Sequence, residues 1–170
     1  MSGPVVLAAL VSTGLVVALW LLYFDVVALV AERRLHHARP GRERSEVARD
    51  SYSYLHLPMV AGIVLIALGL KKTLGDVDEP LDLVPAAALL GGTALYLLAH
   101  VAFRWRTVHR LSAPRLAVAL LLLAALPIAL QLSALLSVVG VTVMLAALVA
   151  YEAVRFAPLR AQLLSTEPAE

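Results

Sequence analysis

Five side chains lie at similar depth in apolar segments and could do chemistry together: Asp25, Tyr52, His56, Tyr96 and His100. Tyr52 precedes His56 by four positions, and Tyr96 precedes His100 by four, so on helices each pair shares a face. A carboxylate beside an imidazole can form a hydrogen bond and exchange a proton near neutral pH. Ionisable groups within membrane helices usually face the bundle interior, because exposing them to lipid is costly. These residues therefore predict a polar cavity.

Two other interpretations of the polar residues stay open. The tyrosines could form an aromatic belt at the membrane surface, while Asp25 and Glu152 extend toward water or pair with arginines. Alternatively, His56, His100 and Asp25 could bind a divalent metal ion, although no His/Glu spacing in the chain matches a known metal motif. We predict no catalytic residue, no metal site and no cofactor.

The elements that carry these residues are predicted from hydrophobic runs. Of the 170 residues, 61% are hydrophobic and 15% are charged, and the mean hydropathy is +0.87. Four runs, 1–24, 51–70, 83–103 and 116–151, contain no Lys, Arg, Asp or Glu. Roughly 20 apolar residues cross a bilayer as a helix. The composition predicts an all-α, polytopic transmembrane bundle in one domain, with about five spans at 5–31, 51–70, 83–104, 114–131 and 133–155.

The fourth run, 116–151, is too long for one comfortable span. Gln131, Leu132 and Ser133 are its most polar interruption, and Pro127 should bend the preceding helix near its end. We therefore divide the run into two spans. A single long, tilted helix is the alternative.

Helix ends and helix contacts are predicted from small and polar residues. Ser, Asp and similar residues before apolar runs favour N-caps, and small residues four positions apart allow close helix approach. The predicted caps are Asp82, Ser112 and Ser133, and the predicted contact pairs are Gly14/Ala18 and Ala88/Gly92.

The orientation follows from the positive residues. With five spans, every Lys and Arg except Lys71 and Lys72 falls on the same side of the membrane. Lys and Arg are enriched in cytoplasmic loops, so that side is predicted to be inside, with the N-terminus outside and the C-terminus inside. The pI of about 9.2 reflects these loops and does not indicate a nucleic-acid partner. The absence of cysteine excludes disulfides and thiolate chemistry.

One segment has a distinctive composition. Residues 49–62 read RDSYSYLHLPMVAG, and residues 20–25 read WLLYFD. Together they resemble the bacterial low-temperature-requirement A (LtrA) family of membrane proteins, and the likeness covers nearly all of the chain. The positions that carry the resemblance are Asp25, Arg49, Asp50, Tyr52, Tyr54, His56 and Pro58.

The resemblance implies partners as well as a fold. It matches the C-terminal half of a typical family member, which implies either a short relative or a chain that lacks an N-terminal half. Helix faces meant for that half could then pair with a second copy. The expected partners are the lipid bilayer and a homodimer partner or an N-terminal half, in the bacterial cytoplasmic (inner) membrane.

The leading functional hypothesis is a transporter-like or permease-like protein that handles a small solute, ion or proton through a cavity open to the cytoplasm. A membrane-embedded, metal-dependent enzyme acting on lipid is one rival. A non-catalytic, oligomeric membrane scaffold is the other.

Overall fold

The protein is a bundle of helices. A computed structural model describes residues 3–24, 56–109 and 111–164. The helices are α1 Gly3–Tyr23, α2 His56–Gly75, α3 Leu83–Val108, α4 Ala113–Ala124, α5 Leu126–Ala129 and α6 Ala134–Leu164. Within these ranges there is no β-strand, and Pro80 and Ser133 form an isolated antiparallel bridge. The all-helical prediction is confirmed.

Four helices are long and apolar enough to cross a membrane. They are α1, α2, the Leu83–Arg106 part of α3 and the Ala134–Arg155 part of α6. The predicted span 114–131 contains a shorter apolar helix, α4, which ends before Pro127, and then the single turn α5. Proline lacks an N–H and its ring collides with the preceding turn, so the helix breaks there. At about 1.5 Å per residue, α4 and α5 together rise roughly 25 Å.

The connections define two ends of the bundle. At one end, which we call the outer end, the 76–82 loop contacts the start of α6. The N–H groups of Ala134 and Leu135 donate to the carbonyls of Glu79 (2.8 Å) and Val77 (3.0 Å), so two unpaired donors of the helix terminus are satisfied. Ser133 Oγ accepts a longer bond, 3.4 Å, from the N–H three residues later. The opposite end, predicted to be cytoplasmic, is called the inner end.

The two other predicted N-caps do not form side-chain capping bonds. Asp82 and Ser112 directly precede α3 and α4, but neither side chain bonds to the first turn. A capping side chain bonds to the N–H of the second or third helical residue. Pro85 and Pro114 occupy one of those positions in each helix and have no N–H, which removes half of the available donors.

Glycines bring α2 and α3 into the closest contact of the bundle. A Cβ atom on Gly62 would lie 2.7 Å from the carbonyl oxygen of Gly92, and one on Gly69 would lie 2.7 Å from Leu89 Cβ. Gly92 belongs to a predicted contact pair, whereas Gly62 and Gly69 were not predicted. Gly14, from the other predicted pair, makes an ordinary contact with α6.

The helices pack as two groups around one apolar core. The α1 helix packs mainly along α6, while α3 packs against both α2 and α4. Direct contact between α1 and α2 is sparse by comparison. Buried side chains from every helix still form one cluster, including Leu15, Met59, Leu97, Leu122 and Leu145. The boundary between α1 and α2 is therefore loosely packed compared with the α2–α3, α3–α4 and α1–α6 contacts.

Candidate functional site

A cavity of about 430 Å³ lies between α1 and α2. This volume falls within the roughly 300–1,000 Å³ that is usual for small-molecule sites. Most of its lining is apolar: Val16, Leu19, Trp20, Phe24, Met59, Val60, Ile63, Ile66, Ala67 and Leu70. The remaining lining residues, Tyr23, His56 and Tyr96, carry polar atoms. Among the residues described as helix, Tyr23 of α1 and His56 of α2 are those nearest the inner end, so these groups lie toward the inner end of the cavity.

Tyr23 joins the two predicted histidines. Its ring centroid lies 5.9 Å from that of His56 and 6.1 Å from that of His100, with interplanar angles of 76° and 86°. These edge-to-face arrangements are the ones that ring quadrupoles favour. The ring of Tyr96 lies 4.4 Å from that of His100, so the predicted shared face of this pair is present. Tyr23 therefore contacts both His56 and His100, and Tyr96 joins the cluster through His100.

Two hydrogen bonds fix the positions of Tyr96 and His100. The Tyr96 hydroxyl donates to the Leu19 carbonyl of α1 at 2.8 Å, and both side chains are almost fully buried. Nδ1 of His100 lies 2.8 Å from the Tyr96 carbonyl oxygen, one turn earlier on α3. A carbonyl can only accept, so Nδ1 carries the proton. The other nitrogen, Nε2, is buried and has no hydrogen-bond partner among the described residues.

Several predicted residues lie outside the described ranges. They are Asp25 and Tyr52 of the predicted cavity, and Arg49, Asp50 and Tyr54 of the family motif. The Asp25–His56–His100 network and the Tyr52–His56 pair therefore stay predictions. Pro58, the remaining motif residue, lies half-buried in the first turn of α2.

A buried ion pair at the inner end was not predicted. Arg115 of α4 donates from Nε to Glu152 Oε1 at 2.8 Å and from Nη2 to Oε2 at 2.6 Å, and both side chains are 3% exposed. Nη2 also lies 3.1 Å from the Leu22 carbonyl in the last turn of α1. Glu152 was expected to extend toward water or to pair with an arginine, but the sequence did not single out Arg115. Its place directly after Pro114, inside a helix, was the available signal.

The exposed residue next to Glu152 behaves differently. Tyr151 is 48% exposed, and its hydroxyl accepts a hydrogen bond from Arg155 Nη1 at 2.6 Å. The aromatic-belt interpretation expects such exposure of Tyr151, whereas Tyr96 is buried in the core. On α6, Tyr151 therefore faces away from the bundle, and its neighbour Glu152 faces the core.

No group of three or more His, Cys, Asp or Glu side chains within 3–24, 56–109 and 111–164 could hold a metal ion. Among the described residues, His56 contacts the ring of Tyr23, and His100 contacts the rings of Tyr23 and Tyr96. Hydrogen bonding and proton exchange are the chemistry that these described groups offer.

The fold and the apolar helices define an integral, multi-pass membrane protein. The sequence matches the family described as bacterial low temperature requirement A protein (LtrA) over residues 1–150. The chain belongs to the LtrA family, as the motif predicted. No curated protein and no solved structure matches the chain.

Proposed function

We propose that this LtrA-family protein is transporter-like and binds a small solute, ion or proton in the cavity between α1 and α2. The observation that carries the proposal is the cavity itself, with Tyr23, His56 and Tyr96 at its inner end. A site between two membrane helices that combines an apolar wall with a few polar groups suits selective binding. Imidazoles can also accept and release protons near neutral pH.

The packing of the helices supports movement at the same place. The α1–α6 pair meets the α2–α3–α4 group through sparse apolar contact at the cavity, through backbone hydrogen bonds between the 76–82 loop and α6 at the outer end, and through polar ties at the inner end. Those ties are Tyr96 to Leu19 and Arg115 to Leu22 and Glu152. Relative motion of the two groups would change access to the cavity while each group stays intact, as in hinge or shear transitions. On this proposal the inner end opens to the cytoplasm of a bacterial inner-membrane protein.

Proton movement is the first transport activity to measure. Purified protein is placed in liposomes that contain a pH-sensitive dye, and the decay of an imposed pH gradient is followed. Ala67 lines the cavity, so Ala67→Trp should fill it and slow protein-dependent decay at least fivefold. Ala61→Trp places the same ring on the same helix, at an exposed position outside the cavity lining, and should have little effect.

A second pair of variants tests the imidazole. His56→Ala should slow proton flux, whereas His109→Ala, at the exposed end of α3, should not. Equal flux in empty liposomes and protein-containing liposomes would contradict proton transport. Equal flux in the Ala67→Trp and Ala61→Trp proteins would contradict a route through the cavity.

A further inference from the structure

The buried Nε2 atom of His100 is a hydrogen-bond acceptor that lacks a donor among the described residues. Its partner nitrogen, Nδ1, faces the Tyr96 carbonyl and therefore keeps the proton of a neutral imidazole. The lone pair of such an imidazole lies on Nε2. Burying an acceptor without a partner costs free energy, so native structures rarely keep one unless an occupant supplies the bond.

His100 stands directly behind the inner end of the cavity. Its ring contacts the rings of Tyr23 and Tyr96, and both of those tyrosines line the cavity. Nε2 is the ring nitrogen farther from the α3 backbone. His100 itself is not part of the cavity lining, so a donor group in the cavity must pass between Tyr23 and Tyr96 to reach Nε2.

The chemistry of the lining narrows the class of ligand. None of the described residues that line the cavity is Lys, Arg, Asp or Glu, so these residues offer a charged ligand no counter-charge to offset its desolvation. The apolar wall instead favours an apolar body. A single donor placed at one end of that body would match the unsatisfied Nε2.

We infer that the cavity binds a small, neutral, amphiphilic molecule, an alcohol or a phenol, whose hydroxyl donates a hydrogen bond to His100 Nε2. This inference rests on the proposed function, because it names the class of solute for the same cavity. It adds His100 as the residue that selects for a donor group.

A matched pair of probes isolates the hydroxyl. The probes 4-bromophenol and 4-bromoanisole share an apolar, brominated ring, but the second has a methyl ether in place of the O–H donor. Bromine quenches tryptophan fluorescence on contact. The chain has two tryptophans, Trp20 in the cavity lining and Trp105 half-exposed on α3, so Trp105→Phe leaves Trp20 as the reporter.

In the Trp105→Phe protein at neutral pH, we expect saturable quenching of Trp20 by both probes. Loss of one buried hydrogen bond corresponds to about tenfold in affinity, so the phenol should saturate at a roughly tenfold lower concentration than the ether. Adding His100→Phe should abolish that preference and leave the affinity for the ether unchanged. A Trp20→Phe protein, which keeps Trp105, corrects for probe dissolved in the micelle.

The outcomes separate the inference from the proposed function. Equal affinity for the two probes in the Trp105→Phe protein would overturn the inference, because the hydroxyl would then add no bond to Nε2. The cavity would still bind solutes. Absence of saturable quenching by either probe would overturn both the inference and the cavity as a solute site. If His100→Phe does not fold, the comparison of the two probes in the Trp105→Phe protein still decides.

Discussion

Arg115 and Glu152 place opposite charges in the apolar interior of the bundle. Their fork-like contact uses two parallel hydrogen bonds, and a third bond joins the guanidinium to the Leu22 carbonyl of α1. The guanidinium therefore connects α1, α4 and α6. Removing one partner of a buried ion pair destabilises the fold, because the desolvation cost of the remaining charge is then uncompensated.

Removing the carboxylate should therefore be costly. We expect Glu152→Ala to lower the free energy of unfolding by about 3 kcal/mol, because Arg115 would stay buried without its counter-charge. Replacing both residues, as Arg115→Met with Glu152→Leu, should recover most of that loss. Reversible unfolding in mixed micelles measures each value.

Tyr151→Phe is the matched control for this prediction. It alters the neighbouring exposed residue on the same helix and should change stability by less than about 0.5 kcal/mol. Stability of Glu152→Ala equal to that of this control would show that the ion pair contributes nothing.

At the scale of helices, the α2–α3 contact depends on the absence of side chains at particular positions. A Cβ atom on Gly92 would lie 2.7 Å from Leu65 Cβ and 2.9 Å from the Gly62 carbonyl oxygen. Backbone atoms cannot move aside as the end of a flexible side chain can. In lipid, where helices associate through packing and polar contacts, such close approach supplies much of the attraction.

Two neighbouring glycines on α3 provide a direct comparison. Gly92→Ala should lower stability by about 1–3 kcal/mol because it forces α2 and α3 apart. Gly91→Ala meets no atom within 4 Å and should be neutral, or stabilising by up to about 1 kcal/mol through helix propensity. Unfolding in micelles tests both, and equal stability of the two variants would contradict close packing at Gly92.

At the scale of the whole molecule, orientation decides which compartment the inner end faces. The loop of residues 76–82 and the connection between α3 and α4 lie at opposite ends of the bundle, since α3 runs between them. The positive residues predict that the first is outside the cell and the second inside.

Cysteine labelling in whole cells tests this orientation. The chain has no cysteine, so single substitutions give an unambiguous signal. Asp78→Cys, exposed in the outer loop, should react with a membrane-impermeant maleimide in intact cells. Leu111→Cys, 58% exposed between α3 and α4, should react only after the membrane is permeabilised. The reverse pattern would place the inner end of the cavity outside the cytoplasm.

Much of the helical architecture was predictable from the sequence. A backbone in lipid must satisfy its own hydrogen bonds, so charge-free apolar runs form helices and charged stretches join them. The depth and spacing of Tyr96 and His100 placed them on one face, and the motif in residues 49–62 indicated the family. These features are local, because they depend on residues within one helix or one loop.

The neighbours of each helix were decided by tertiary packing. Tyr23 contacts His56 and His100 from a third helix, and Arg115 pairs with Glu152 over a separation of 37 positions. Helical periodicity indicates which residues share a face of one helix, but it does not indicate which other helix packs against that face. In lipid that choice depends on how closely particular surfaces fit, as at Gly62 and Gly92, and such fit appears only when the helices are assembled. The cavity between α1 and α2 exists for the same reason, since it is the space left where the two groups of helices meet without close packing.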